Sequence, residues 1–413
     1  MRITMQKVIT TIALGIFTLA VQAQDLLVNN AQLLAPGSSD TAKVDILIKA
    51  GVIAEIGVGL EAPSGTPTLD AEGQPVTPAL FAGITVSGLS DVELVSESVD
   101  SGYSELFTET MHPEFDVRAA YNPHSSVIPI TRVEGFGYAL LAATSRDHTI
   151  AGSGGLVRFD GGFDSFEGRD VLFISAGGWA GDRIGGSRAV HWMLLEQAIA
   201  ESKGGDLEII SRQGRETLKR IIKDGVVLFH AERAADIMQA LQFIADHRLR
   251  GVIAGASEGW MVAEALARAE VPVVINALDN LPASFDSLGA RLDNAALLHA
   301  AGVEVMFTSN ETHNARKVRQ VAGNAVANGL PHAAAIAALT TVPARVFGGQ
   351  DRSLSVGNRA DLVIWGGDPL EVNAVATQVI IDGKLDSMRS RQTLLRDRYL
   401  PEKTTLPRAY IKP

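Results

Sequence analysis

Val226-Val-Leu-Phe-His230 is a short apolar run followed at once by Glu232 to His247, where Ile237, Leu241 and Ile244 recur at helical spacing. The same unit repeats downstream. Gly251-Val-Ile-Ala254 precedes Glu258 to Ala269, Val271-Pro-Val-Val-Ile275 follows, and Gly302-Val-Glu-Val-Met-Phe307 precedes Ala315 to Asn328. Strand-like runs alternating with helical patterns from residue 171 to 347 predict a parallel sheet covered by helices. A closed (β/α)₈ TIM barrel typically takes ~250 residues, which this α/β region can supply. The structural alternative is a doubly wound open sheet, but no Gly-rich dinucleotide fingerprint follows a first strand.

Outward from this region the texture changes. Asp25-Leu-Leu-Val-Asn-Asn30, Val44-Asp-Ile-Leu-Ile-Lys49 and Val52-Ile-Ala-Glu-Ile-Gly57 are β-rich runs separated by Pro36-Gly37 and Ala50-Gly51. Ala360-Asp-Leu-Val-Ile-Trp365 and Thr377-Gln-Val-Ile-Ile-Asp-Gly383 return to that texture near the other end. A composite β-sandwich module is therefore expected from residues 24–79 together with 354–413, with a barrel over 80–353 inserted between them. Joining the two ends in one module would pair edge strands that neither end can pair alone.

Composition narrows the function classes. The chain has 413 residues, 46% of them hydrophobic, and a formal charge of -11. An excess of acid argues against nucleic acid and anionic membranes, which both require basic surface. With no cysteine, disulfides, Fe–S clusters, thiolate zinc sites and thiol catalysis are excluded. At the start, Arg2 and Lys7 precede the apolar stretch Val8 to Val21, and Val21-Gln-Ala23 supplies small residues for cleavage after Ala23. That stretch is short for a membrane span, so residues 1–23 are read as a signal peptide with no membrane anchor, and the protein as periplasmic or secreted.

Three segments carry a family resemblance. They are Leu69-Asp-Ala-Glu-Gly-Gln-Pro-Val-Thr-Pro-Ala-Leu80, Thr340-Thr-Val-Pro-Ala-Arg-Val-Phe-Gly348, and Gly357-Asn-Arg-Ala-Asp-Leu-Val-Ile-Trp-Gly-Gly-Asp-Pro-Leu-Glu-Val372 followed by Val379-Ile-Ile-Asp-Gly-Lys384. On these the chain resembles the amidohydrolase superfamily, especially its imidazolonepropionase-like and dipeptidase-like members. The resemblance implies a hydrolase of C–N bonds with metal ligands at the C-terminal ends of barrel strands. Those ligands would be a His-x-His pair on strand 1, one His each on strands 5 and 6, and an Asp on strand 8. A divalent metal held there would polarise the scissile carbonyl and lower the pKa of bound water.

The positions that match this pattern are mostly changed. Ile84 and Val86 stand at the His-x-His positions, Gly255 at the strand-6 His and Asn310 at the strand-8 Asp, and only His230 is retained. No Lys near Val171-Leu-Phe-Ile-Ser175 offers a bridging carbamate. Catalytic zinc needs three protein ligands, and alkyl groups have no lone pairs to give. Asn310 is neutral but can still hydrogen-bond a ligand. His230 is thus the tentative metal position and, with Asn310, His313 and His148, a candidate pocket residue. His313 follows strand 8 closely, and His148 lies in the Gly-rich stretch Asp147-His-Thr-Ile-Ala-Gly-Ser-Gly-Gly155, expected as a loop near the same rim. A rebuilt site of His148, His230 and His313 with Glu232 or Glu311 is one alternative.

Three readings follow. The leading one is an exported amidohydrolase homologue without normal metal catalysis and without a cofactor, binding a small molecule or a protein partner such as a related amidohydrolase, and a possible homodimer. The second is an active hydrolase with zinc or another divalent metal in a rebuilt site around His230. The third rests on Gly255-Ala-Ser257-Glu-Gly259, which matches the nucleophile-elbow pattern between a strand and a helix, although Ser257 also suits a helix N-cap. Gly152-Ser-Gly-Gly155 and Gly177-Gly-Trp-Ala-Gly181 are candidate anion cradles.

Overall fold

The computed structural model describes residues 25–34, 43–92, 94–103, 111–145, 148–178, 186–206, 208–309 and 311–400. Residues 1–23, expected as a signal peptide, and Asn310 lie outside the described residues. Among the described residues no helix is long and apolar enough to cross a membrane.

The first five strands are β1 (Leu26–Leu33), β2 (Lys43–Lys49), β3 (Val52–Gly57), β4 (Thr68–Asp70) and β5 (Pro75–Pro78), and the last three are β14 (Leu362–Trp365), β15 (Ala376–Ile381) and β16 (Lys384–Leu385). They form one sheet in the order β16-β15-β14-β5-β1-β2-β3, with β4 beside β1. The two chain ends meet where β14 runs antiparallel to β5, Val363 opposite Thr77. In hydrogen bonding this is a single continuous sheet, where the sequence pointed to a sandwich. It has its own apolar core, including Val28, Ile46, Ile48, Ile53, Leu362 and Ile380.

Between the ends lie β6 (Leu80–Thr85), β7 (Phe136–Leu141), β8 (Ile150–Arg158), β9 (Phe166–Ser175), β10 (Val226–Ala231), β11 (Gly251–Gly255), β12 (Val273–Ile275) and β13 (Val305–Phe307). They make a second sheet in chain order. Its edges approach one another through side chains: the Ile84 N–H donates to Thr308 Oγ1 at 3.2 Å and the Val86 N–H to Thr312 Oγ1 at 3.2 Å. The result is a nearly closed eight-stranded barrel.

One strand departs from the expected (β/α)₈ pattern. β8 is antiparallel to both β7 and β9. The connections over 142–149 and 159–165 are too short for a crossover helix, which takes about a dozen residues or more, so the chain reverses at each. The stretch expected as a rim loop is therefore partly a strand. Its glycines serve packing: a Cβ on Gly154 would lie 3.1 Å from Val117 Cγ2 and closer still to the Leu141 carbonyl. Ser153 N–H donates to the Phe115 carbonyl at 2.7 Å. Gly152 to Gly155 form part of a packed sheet and offer no anion cradle.

The remaining strands follow the expected alternation. After β10 the helix Ala234–His247 buries Ile237, Leu241 and Ile244 together with Ala240 and Phe243. After β11 the expected helix begins with a tight turn, Gly259–Val262, before Ala263–Arg268. Parallel strands β6, β7 and β9 to β13 aim their C-terminal ends at one face, the mouth, where barrels of this class carry their sites.

Candidate functional site

At the mouth, β10 delivers His230 and Glu232, β11 delivers Gly255 to Ser257, β12 leads to Asp279, and β6 ends on Ile84, Thr85 and Val86. His230 is held in the sheet by pairing with Ser175 on one side and Ala254 on the other. Its imidazole is 54% exposed, with Nε2 at 3.5 Å from Glu232 Oε1. That separation is an ion-pair approach and too long for a good hydrogen bond.

Glu232 is fixed from its other oxygen. Oε2 accepts from the Ser257 N–H at 3.0 Å and from the Ser257 hydroxyl at 2.6 Å. This places the carboxylate over Gly255, whose φ is +90°. A Cβ on Gly255 would lie 2.6 Å from Glu232 Cδ. The space that a strand-6 side chain would use is filled by the carboxylate of strand 5. Ser257 is buried, and its hydroxyl is donated to a carboxylate instead of to an imidazole base, so the nucleophile-elbow reading is not supported by the geometry. Nor does Ser257 cap a helix: the following turn and helix have Glu258 and Val262 at their N-caps, with no side-chain cap bond.

Other mouth carboxylates are engaged in the same way. Glu258 accepts from Ala234 N–H and Gly289 N–H, each at 3.0 Å. Asp286 accepts from Gly178 N–H at 2.7 Å and pairs with the Arg188 guanidinium. Arg188 Nε also reaches Asp236 at 3.0 Å. Burial pushes the Asp236 carboxyl up, opposed by Arg188 and Arg233. Partial loss of hydration, then the Glu232 charge, raises Asp279 at the rim. Because its N–H is used by Asp286, Gly178 is not a free anion donor; Trp179 to Gly181 lie outside the described residues.

The other expected pocket residues are placed separately. His148 is buried and its ring stacks on Tyr103 at 5.2 Å. His313 is exposed, with Nε2 at 3.4 Å from the Asp91 carbonyl. Among the described residues no group of three or more His, Asp or Glu comes together in a way that could hold a metal. Ile84 and Val86 are half-buried alkyl groups packed against the barrel core. The donor set at the described strand ends is thus one imidazole and a carboxylate already bonded to Ser257, which does not fit a catalytic dication needing three ligands.

Sequence reading named Glu232 but missed its lock on Gly255, and missed Arg188, Glu258 and Asp286 altogether. The signal for Arg188 was its place directly after the N-cap Ser187, where a cation opposes the helix dipole and so asks for another reason to be there.

The amidohydrolase family model matches residues 206–385, from before β10 to the end of β16. Over these residues the chain is similar to the amidohydrolase family. Its fold is similar to that of an amidohydrolase from Thermotoga maritima, with a TM-score of 0.78 at 20% identity, covering 88% of this chain and 100% of the other. A zinc-bound adenosine deaminase from Xanthomonas campestris aligns with a TM-score of 0.51 at 16% identity, over 88% of this chain and 92% of that one. In sequence, 57 residues are 45% identical to a dihydroorotase of Citrifermentans bemidjiense, 14% of this chain and only 13% of the relative's length. The chain thus shares its overall fold with these proteins.

Proposed function

We infer that this protein is a metal-independent binding member of the amidohydrolase superfamily, its barrel mouth taking a small-molecule ligand instead of performing metal-assisted hydrolysis. The observation that carries this reading is the Glu232 carboxylate seated over Gly255 and bonded twice by Ser257. It occupies the place of one expected ligand, while Ile84 and Val86 supply hydrocarbon at two more. What remains open to solvent is the His230 imidazole, which can donate or accept one hydrogen bond in its neutral form. A ligand there would meet a polar floor at His230 and Glu232 and an apolar wall at strand 1.

The same exposed His230, with Glu232 beside it, is what favours the second reading, an active hydrolase with a rebuilt site. The two are separated by metal content, measured by elemental mass spectrometry on protein purified without chelators. The binding reading expects far less than one zinc per chain, unchanged in His230→Ala. About one zinc per chain, lost in His230→Ala, would overturn it and make the hydrolase reading lead.

A further inference from the structure

The barrel has a second concave site, at the end away from His230. The helix Arg212–Asp224 runs into β10 through Gly225, and the helix Ala234–His247 into β11 through Arg248 to Arg250. The helix Ala263–Arg268 runs into β12 through Ala269 to Pro272. Because β10, β11, β12 and β13 are neighbours in the sheet, these turns lie side by side at the strand starts. With Glu304 before β13 and Arg345 of the helix Thr341–Val346 they line one open cleft of about 440 Å³. Small-molecule sites span about 300–1,000 Å³. Ile244, Val252 and Val271 contribute apolar surface to it.

The charged residues lining this cleft are Lys223, Arg248, Arg250 and Arg345 against Glu270 and Glu304. In a chain with a formal charge of -11 this is a local excess of cations. Arg345 is neutralised by its pairing with Glu304, and Lys223 has the exposed Asp224 carboxylate at 3.8 Å. Arg250 is oriented without losing its charge: Nη1 donates to the carbonyls of Asp224 at 3.2 Å and Gly225 at 3.1 Å. Arg248 is exposed and, among the described residues, has no carboxylate at ion-pair distance. A helix dipole favours cations at its C-terminus, which accounts for Lys223 and Arg345. Arg248 is different. Its φ of 53° and ψ of 44° are left-handed, a conformation in which glycine is the unstrained choice after a helix. A cation one turn earlier would answer the dipole without that strain. Glu270 has the same conformation after the next helix, with φ +52°, and carries the charge that opposes an anion here.

We propose that this cleft binds a small, multiply charged oxyanion, a phosphate or polycarboxylate compound, through the Arg248 and Arg250 guanidinium groups. Their planar forks match the oxygens of either group. Lys223 adds charge at the edge, and the apolar surface takes the ligand's uncharged part. The site lies at the strand starts, so it does not depend on how the His230–Glu232 mouth is read.

The test is isothermal titration calorimetry on the full chain at fixed ionic strength, with inorganic pyrophosphate in one arm and citrate in the other. At least one of the two is expected to bind saturably, one per chain. Arg248→Gly should weaken that binding about tenfold. The same variant should melt at or above the parent temperature, because glycine relieves the left-handed backbone. Loss of binding is thereby separated from loss of fold. Arg248→Lys keeps the charge and should lose only about threefold, and Glu270→Gln should bind about threefold more tightly. Binding of one anion alone supports the site and names the ligand's group as phosphate or carboxylate. If neither anion binds, or Arg248→Gly binds as the parent does, the proposal is overturned. Binding that His230→Ala abolishes also overturns it, by placing the anion at the mouth.

Discussion

The carboxylate of Glu232 lies directly over the α-carbon of Gly255, in the volume where any other residue would place its Cβ. Two features therefore require glycine at 255: a φ of +90°, and the carboxylate above it. Gly255→Ala is expected to destabilise the protein by about 2 kcal/mol, part from backbone strain and part from displacing Glu232. Glu232→Ala in the same chain removes the collision but leaves the strain. The double variant should thus be more stable than the two single losses added together predict. Urea midpoints of the four proteins measure this, and strict additivity would show that the two residues do not compete for space.

Arg188 is the strap of the mouth, pairing with Asp236 from the helix after β10 and with Asp286 from the loop after β12. Asp236 is 3% exposed and, among the described residues, would keep Arg233 at 3.4 Å as its cation. Arg188→Ala leaves a buried carboxylate poorly compensated. The guanidinium itself is about a third exposed, so the expected loss is about 2 kcal/mol, below that for a fully buried pair. Hydrogen exchange at the Gly178 amide and across 276–292 should accelerate while the sheet of β1 to β5 and β14 to β16 is unaffected. Unchanged exchange in that loop would mean that Arg188 does not hold it.

Much of this architecture is legible in the residues themselves. The apolar run ending at His230 and the Ile237, Leu241 and Ile244 spacing place β10 and its helix, because strand and helix periods are local properties. The two β-rich ends likewise announce a shared sheet. The reversed strand β8 was hidden because Gly152, Gly154 and Gly155 read as a loop, whereas Gly152 lets Phe115 approach and Gly154 lets Leu141 and Val117 approach. The Glu232–Gly255 and Arg188–Asp286 relationships join residues from different loops. Nothing in local pattern encodes them; only the closing of the barrel brings them together. At the described strand ends Ile84, Val86 and Gly255 carry no side-chain donor atoms, which is a property of the residue types and holds in any fold.

His191 is 1% exposed in the helix Arg188–Ser202, with Nδ1 at 3.1 Å from Thr149 Oγ1 and no hydrogen-bond partner for Nε2 among the described residues. Burial lowers its pKa from 6.5 to about 4. The unfolded chain therefore binds a proton near pH 6.5 that the folded chain refuses until about pH 4. The stability that the neutral ring contributes is complete above the unfolded value and is lost as pH falls through this window, on the order of 3 kcal/mol in total. His191→Gln should flatten that part of the stability profile, even if it is less stable at pH 7. Urea midpoints at half-unit steps from pH 7 to pH 4 check it. An equal acid slope in parent and variant would assign the proton uptake to other groups.

Arg352 joins the two sheets from inside. Its Nη1 reaches Asp361, just before β14, at 2.6 Å, its Nη2 pairs with Glu167 on β9, and its guanidinium lies over the Tyr138 ring of β7 at 4.7 Å. The Arg352 and Asp361 side chains are 3% and 4% exposed. Burial pushes the Asp361 carboxyl up to about 6, and Arg352 works against that shift. Arg352→Met keeps the volume but strands two carboxylates without a cation, at a cost of about 3–5 kcal/mol near neutral pH. The raised carboxyl gives this cost a direction: without Arg352 the Asp361 carboxyl is pushed up further and takes its proton earlier than in the parent, so the deficit should shrink as pH falls toward about 6 and level off below it. Asp361→Asn added to Arg352→Met should recover part of the loss at pH 7.5 and little at pH 5. Urea unfolding of the parent, single and double variants at both values is the check. A deficit that does not change with pH would mean that the stranded charge is not its cause, and that Arg352 matters for its packing on Tyr138.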